Sequence, residues 1–169
     1  MLKKLILIFF IGLIFLSCGE GIAPEPEGKT KTTGFGGILV FKGKWPEGIK
    51  RTHIVAFRKP LNSVGDFNAF NLGFVSDSIL YGSKSMFYNS NINPLLEIIP
   101  GEYSYVAVAQ SRTPEISINR KDWYVIGVYY GNGDKTSPAK LIIPKDEYVT
   151  NINITCDFDN PPTQPPGGD

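Results

Sequence analysis

Chemistry at a protein site usually calls on histidine, thiolate, clustered carboxylates or a glycine loop that cradles phosphate. This chain of 169 residues is sparing with all of them: it has 1 histidine and 2 cysteines. The histidine is His53, inside "THIVAFR". A Ser-His-Asp or Cys-His site would have to use it, yet it sits among apolar neighbours and no "G-x-S-x-G" elbow accompanies any serine. The reading favoured for His53 is a plain strand residue. Structural zinc needs about four Cys or His ligands, which excludes it here, and no cofactor is expected. "EGKT" at residues 27–30 lacks the earlier glycine of a phosphate loop, because Ala23 holds that position. "GFGG" at residues 34–37 fails the dinucleotide pattern, since Leu39 stands where the third glycine belongs. "DFDN" at residues 157–160 and "GNGD" at residues 131–134 carry oxygens suited to calcium. Neither supplies about six oxygens alone, and a strand end and a β-turn are the favoured readings. The chain therefore reads as a non-enzyme.

The elements that would position any site are strands. "GILVFKG", "THIVAFR", "SMFYNS", "EYSYVAVAQ", "WYVIGVYY", "KLIIP" and "VTNINITCDF" are rich in β-branched and aromatic residues. "KWPEG", "NPLL", "IPGE", "GNGD" and "PKDE" separate them with turn formers. No stretch carries an apolar stripe of helical period. Near the end, Ile152, Ile154, Cys156 and Phe158 alternate with Asn151, Asn153, Thr155 and Asp157, which predicts a half-buried strand with Cys156 on its oily face. "EYSYVAVAQ" is expected to place Tyr103, Tyr105, Ala107 and Ala109 on one face and Val106 and Val108 on the other. "WYVIGVYY", apolar on both faces, is expected to be a central strand. Residues 34–159 form the expected single domain, and "NPPTQPPGGD" at residues 160–169 is expected to be a disordered tail.

The N-terminus has the features of a targeting signal. Lys3 and Lys4 precede an uncharged apolar run over residues 5–16. At a rise of about 1.5 Å per residue, a membrane span needs about 20 such residues, so residues 1–17 read as a signal peptide. The run ends in "FLSC", which resembles the lipobox of bacterial lipoproteins, although Phe15 stands where leucine is commoner. The resemblance implies a lipid-modified Cys18 as the mature N-terminus, anchored by several acyl chains. Gly19 after it, by analogy with lipoprotein sorting in Gram-negative bacteria, points to the outer membrane. Residues 18–33 then form a flexible linker rich in Pro, Glu, Lys and Thr. With Cys18 lipidated, Cys156 has no disulfide partner. Without residues 1–17 the formal charge falls from +1 to about −1 because Lys3 and Lys4 leave. Such a chain lacks the basic footprint of a nucleic-acid binder.

"GGILVF", "HIVAF" and "IIPGEY" together resemble the transthyretin-like or carboxypeptidase regulatory-like β-sandwich over most of residues 34–158. In "IIPGEY", Pro100 and Gly101 suit the central positions of a type II turn. The resemblance implies an all-β antiparallel sandwich of about seven strands and a role as a structural or interaction module. Two functions follow: a lipid-anchored, non-catalytic envelope module that contacts other envelope proteins, or a surface lipoprotein that binds polysaccharide by aromatic stacking. The second needs Trp45, Trp123, Tyr129 and Tyr130 on one exposed platform. The bland alternative is that both tryptophans plug the ends of the sandwich, since tryptophan is highly buried on average.

Overall fold

The structure is a computed structural model and describes residues 32–131 and 135–168. The chain divides into Met1–Thr30 and Lys31–Asp169. The signal peptide, Cys18 and most of the linker lie outside the described residues. Over the described residues the fold is all-β, with ten strands: β1 (Gly34–Lys42), β2 (Arg51–Phe57), β3 (Leu72–Val75), β4 (Ser85–Asn89), β5 (Gly101–Tyr103), β6 (Tyr105–Ser111), β7 (Trp123–Val128), β8 (Leu141–Ile143), β9 (Tyr148–Val149) and β10 (Ile154–Asp157). Among the described residues there is no α-helix, only 3-10 turns at Val64–Asp66 and Arg120–Asp122.

The sheets are open. One runs β10-β1-β4, with β9 also on β1; another runs β3-β2-β6-β7; β5 and β8 pair separately. The expectation of a purely antiparallel sandwich of about seven strands is corrected here. β1 lies parallel to both β9 and β10, and the strand count is higher because two of the expected strands are broken and β3 was not anticipated. A parallel pair needs a long connection, and nearly the whole domain lies between β1 and β10.

Alternation along the strands builds the core between the sheets. Phe35, Leu39 and Phe41 of β1 meet Ile54 and Ala56 of β2, Val106 and Val108 of β6, and Ile154 and Cys156 of β10 in one buried cluster. A second cluster lies on the other side of β6, where Phe57, Tyr105, Ala107, Val125 and Val128 pack with Leu61 and Phe67. β6 therefore buries both faces and is the strand with neighbours β2 and β7 on either side. The sheets converge at β7 and β10. A Cβ on Gly127 would lie 2.7 Å from the Cys156 sulfur and 2.9 Å from the Thr155 carbonyl oxygen, so only glycine permits this approach.

Four local expectations are corrected. Tyr103 joins the main core with Val106 and Val108 instead of facing with Tyr105; the strand breaks at Ser104, whose N–H donates to the Phe57 carbonyl at 2.9 Å, and the break shifts the alternation by one. Gly101 takes a φ of 146° but opens β5, whereas a type II turn would hold it near 80°. β7 is an edge strand, apolar on both sides because the second cluster covers its outer face. The tail of residues 160–168 lies against that edge: Gln164 accepts from the Val125 N–H at 2.9 Å and donates to the Val125 carbonyl at 2.7 Å. Pro165 is buried.

Candidate functional site

His53 is fixed from two sides by the strands around it. It lies on β2 opposite Ala109 of β6, fully buried. Its Nδ1 donates to the Ser76 carbonyl at 2.9 Å, and the Trp123 ring lies edge-on to it with centroids 6.1 Å apart. Nε2 is buried without a hydrogen-bond partner. Burial, with Arg51 adding to it, holds the imidazole pKa below its ordinary value of 6.5, so the ring is neutral near pH 7. A base held this way is closed to substrate in this conformation. Cys156 is likewise fully buried, and burial raises its pKa. A thiol kept protonated by apolar surroundings is a small hydrophobe, not a nucleophile.

The four aromatic candidates are distributed, not gathered. Trp45 is 8% exposed and sits among Phe41, Tyr81 and Phe158, with centroids 4.8, 5.2 and 5.2 Å away. Its Nε1–H donates to the Ser83 carbonyl at 2.9 Å. Trp123 is 7% exposed beside His53, and its Nε1–H donates to the Ser117 carbonyl at 2.7 Å. Tyr129 packs against the main core and Tyr130 against the second cluster. No ring contact joins the two tryptophans among the described residues.

Two concavities have the character of sites. The first is a polar groove of about 470 Å³ between β7 and β10. Its lining includes Tyr130, Lys42, Lys135, Asn153, Thr155 and Asp157. Partial burial raises the Tyr130 phenol pKa, so the hydroxyl stays a neutral donor and acceptor. The second is a small apolar cavity of about 70 Å³ on the outer face of the β3-β2-β6-β7 sheet, between the loops before β3 and before β7. Val55, Leu72, Val75, Ala109 and Trp123 line it, with Ile116 and Ile118 from one loop and Ala69 from the other. Ile116 and Ile118 remain largely exposed, and Phe70, beside Ala69, is 97% exposed.

The oxygen-rich segments are turns where described. Asp157 accepts through Oδ1 from the N–H groups of Asp159 and Asn160 at 3.1 and 3.2 Å, which closes the end of β10. The acidic end of "GNGD" lies outside the described residues. Among the described residues, no group of three or more His, Cys, Asp or Glu side chains is placed to hold a metal ion.

Sequence reasoning missed the apolar rim and the role of Gln164. The rim residues stand in "FNAF" and "EISIN", where turn-forming neighbours mask isolated apolar side chains. Gln164 lies in a proline-rich segment whose composition carries no pairing signal. No family model, curated protein or solved structure matches this chain.

Proposed function

We propose that the protein is an envelope lipoprotein, held by lipid on Cys18, whose domain works by non-catalytic surface contact with other envelope proteins. The outer membrane is the proposed location, and a transthyretin-like or carboxypeptidase regulatory-like sandwich the proposed finer fold. The "FLSC" segment after a short apolar run supports the anchor. The observation that carries the contact reading is the apolar cavity lined by exposed Ile116 and Ile118, with exposed Phe70 next in the chain to its lining residue Ala69. Exposed apolar side chains around a concave apolar floor suit the apolar surface of a partner. The neutral, buried His53 and the protonated, buried Cys156 fit a role without covalent or acid–base chemistry.

A photo-crosslinking residue at Ile118, in cells, tests this. The expected result is a defined cross-linked band from Ile118 that is absent when the same residue replaces exposed Lys145. Equal, diffuse labelling from both positions contradicts it.

The polysaccharide reading lacks the aromatic platform it called for, since Trp45 and Trp123 are buried in separate places, and it stands as the second proposal only through Tyr130, which lies in a groove lined by hydrogen-bonding side chains. It predicts that Tyr130→Ala abolishes retention on a polysaccharide column without lowering the melting temperature. A parent protein that no polysaccharide retards overturns it.

A further inference from the structure

Among the described residues β7 ends its sheet, so one row of its main-chain groups has no strand beside it. An edge of this kind is a template for another strand. Here a side chain fills the vacancy. The carboxamide of Gln164 takes the Val125 N–H and gives an N–H to the Val125 carbonyl, at 2.9 and 2.7 Å. One donor and one acceptor given to the same residue is the exchange that a paired residue makes in an antiparallel ladder. The carboxamide thus stands in for the peptide groups of an absent strand.

The rest of the strap cannot pair that way. Pro161, Pro162, Pro165 and Pro166 have no N–H to give. What fixes it is Arg120, buried over the Phe67 ring at 5.8 Å, whose Nη2 donates to the Pro165 carbonyl at 2.9 Å and whose Nη1 donates to the Trp123 carbonyl. Pro165 is buried, and Gly167 and Gly168 lie close to Val64 and Arg120, so the strap is seated at its far end and bordered by hollows elsewhere. Residues 160–163 border the polar groove of about 470 Å³, and residues 163–166 border a second hollow of about 660 Å³. A segment held at a few points between two hollows is displaceable.

We infer that the C-terminal strap is a built-in guard on the β7 edge, and that the surface beneath it pairs with the β7 edge of a second copy of this chain. Val125 presents both its N–H and its carbonyl outward. It can therefore exchange both bonds with Val125 of a second copy across a two-fold axis, an isologous contact that needs no other complementary surface. While the strap is latched, the chain stays a monomer. This inference rests on neither the lipid anchor nor the partner proposed above.

The test compares the protein mass, by light scattering in detergent, of the whole chain and of the same chain ending at Asp159. The whole chain is expected at one protein mass at all concentrations. The shortened chain is expected to double its mass as concentration rises. Val125→Pro in the shortened chain removes the outward N–H without breaking the pairing to β6 and should restore the single mass. Gln164→Ala in the whole chain is the second arm, used alone if shortening unfolds the domain; it should give partial doubling. A folded shortened chain that stays single, a Val125→Pro form that still doubles, a Gln164→Ala form that stays single when shortening unfolds the domain, or a whole chain that already doubles overturns the inference.

Discussion

Replacing Trp45 by alanine separates a packed indole from a sugar platform. The ring is 8% exposed and lies within 4.8 to 5.2 Å of Phe41, Tyr81 and Phe158, centroid to centroid. Truncating a buried Phe or Trp costs about 3–5 kcal/mol in lost transfer energy and residual void. Trp45 lies at the margin of the core, where part of the void opens to water, so the lower end, about 3 kcal/mol, applies. The Ser83 carbonyl loses its indole donor, but it sits in a half-buried loop and water can replace the bond. Trp45→Phe keeps most of the stacking and should cost about half as much or less. For a domain whose total stability is about 5–15 kcal/mol, the alanine variant should unfold at clearly lower urea with an unchanged slope. A loss under about 1 kcal/mol, well below the range for buried aromatic truncation, would refute the packing argument.

Other perturbations probe the remaining buried groups. The Cys156 thiol should react with a thiol reagent only after unfolding, and Cys156→Ser should cost about 1–3 kcal/mol by burying a poorly satisfied hydroxyl; fast labelling of the native protein contradicts this. His53 is held neutral in the fold, with its pKa below 6.5, so between the folded and unfolded pKa values the unfolded chain binds more protons. Its contribution is fully present above about pH 6.5 and is lost as pH falls through the folded pKa. Urea melts of the parent should therefore weaken on the acid side of neutrality, and His53→Gln should flatten that slope; identical slopes contradict the assignment. Gly127→Val drives side-chain carbon into the Cys156 sulfur and the Thr155 carbonyl, and overpacking should cost about 1–3 kcal/mol or more; a neutral effect in a thermal melt contradicts the close approach of β7 and β10.

Local patterns were legible in the sequence and long-range ones were not. The alternation of Ile152, Ile154 and Cys156 marks their shared buried face, and the structure buries all three. The β-branched and aromatic runs mark β1, β2, β6, β7 and β10 because strand preference is written in neighbouring residues, and only β10 shows it as period-two burial. β3 escaped because "LGFV" is four residues long and its centre depends on Gly73 beneath the Tyr103 ring. The parallel pairing of β1 with β10 joins Leu39 to Ile154, a contact that neither segment signals alone. The face of Tyr103 was misread because a single irregular residue, Ser104, resets the alternation. The tail was misread because its proline content describes what it cannot do. What holds it is the pairing of its own Gln164 carboxamide with the Val125 main chain, 39 residues away, together with Arg120 on the Pro165 carbonyl. Of the candidate site, the sequence disclosed the scarcity of reactive groups. It did not disclose the cavity, whose walls come from β2, β3, β6, β7 and two loops.

The central claim is that the chain is held in the envelope by lipid on Cys18. The direct measurement is intact mass spectrometry of the protein purified in detergent from its own cells, with the N-terminal peptide sequenced. The account predicts a mature chain that begins at Cys18 and carries diacylglyceryl and acyl mass on that residue, with Cys18→Ala accumulating as an unmodified precursor. A chain that still begins at Met1, or one cleaved elsewhere without lipid, contradicts it.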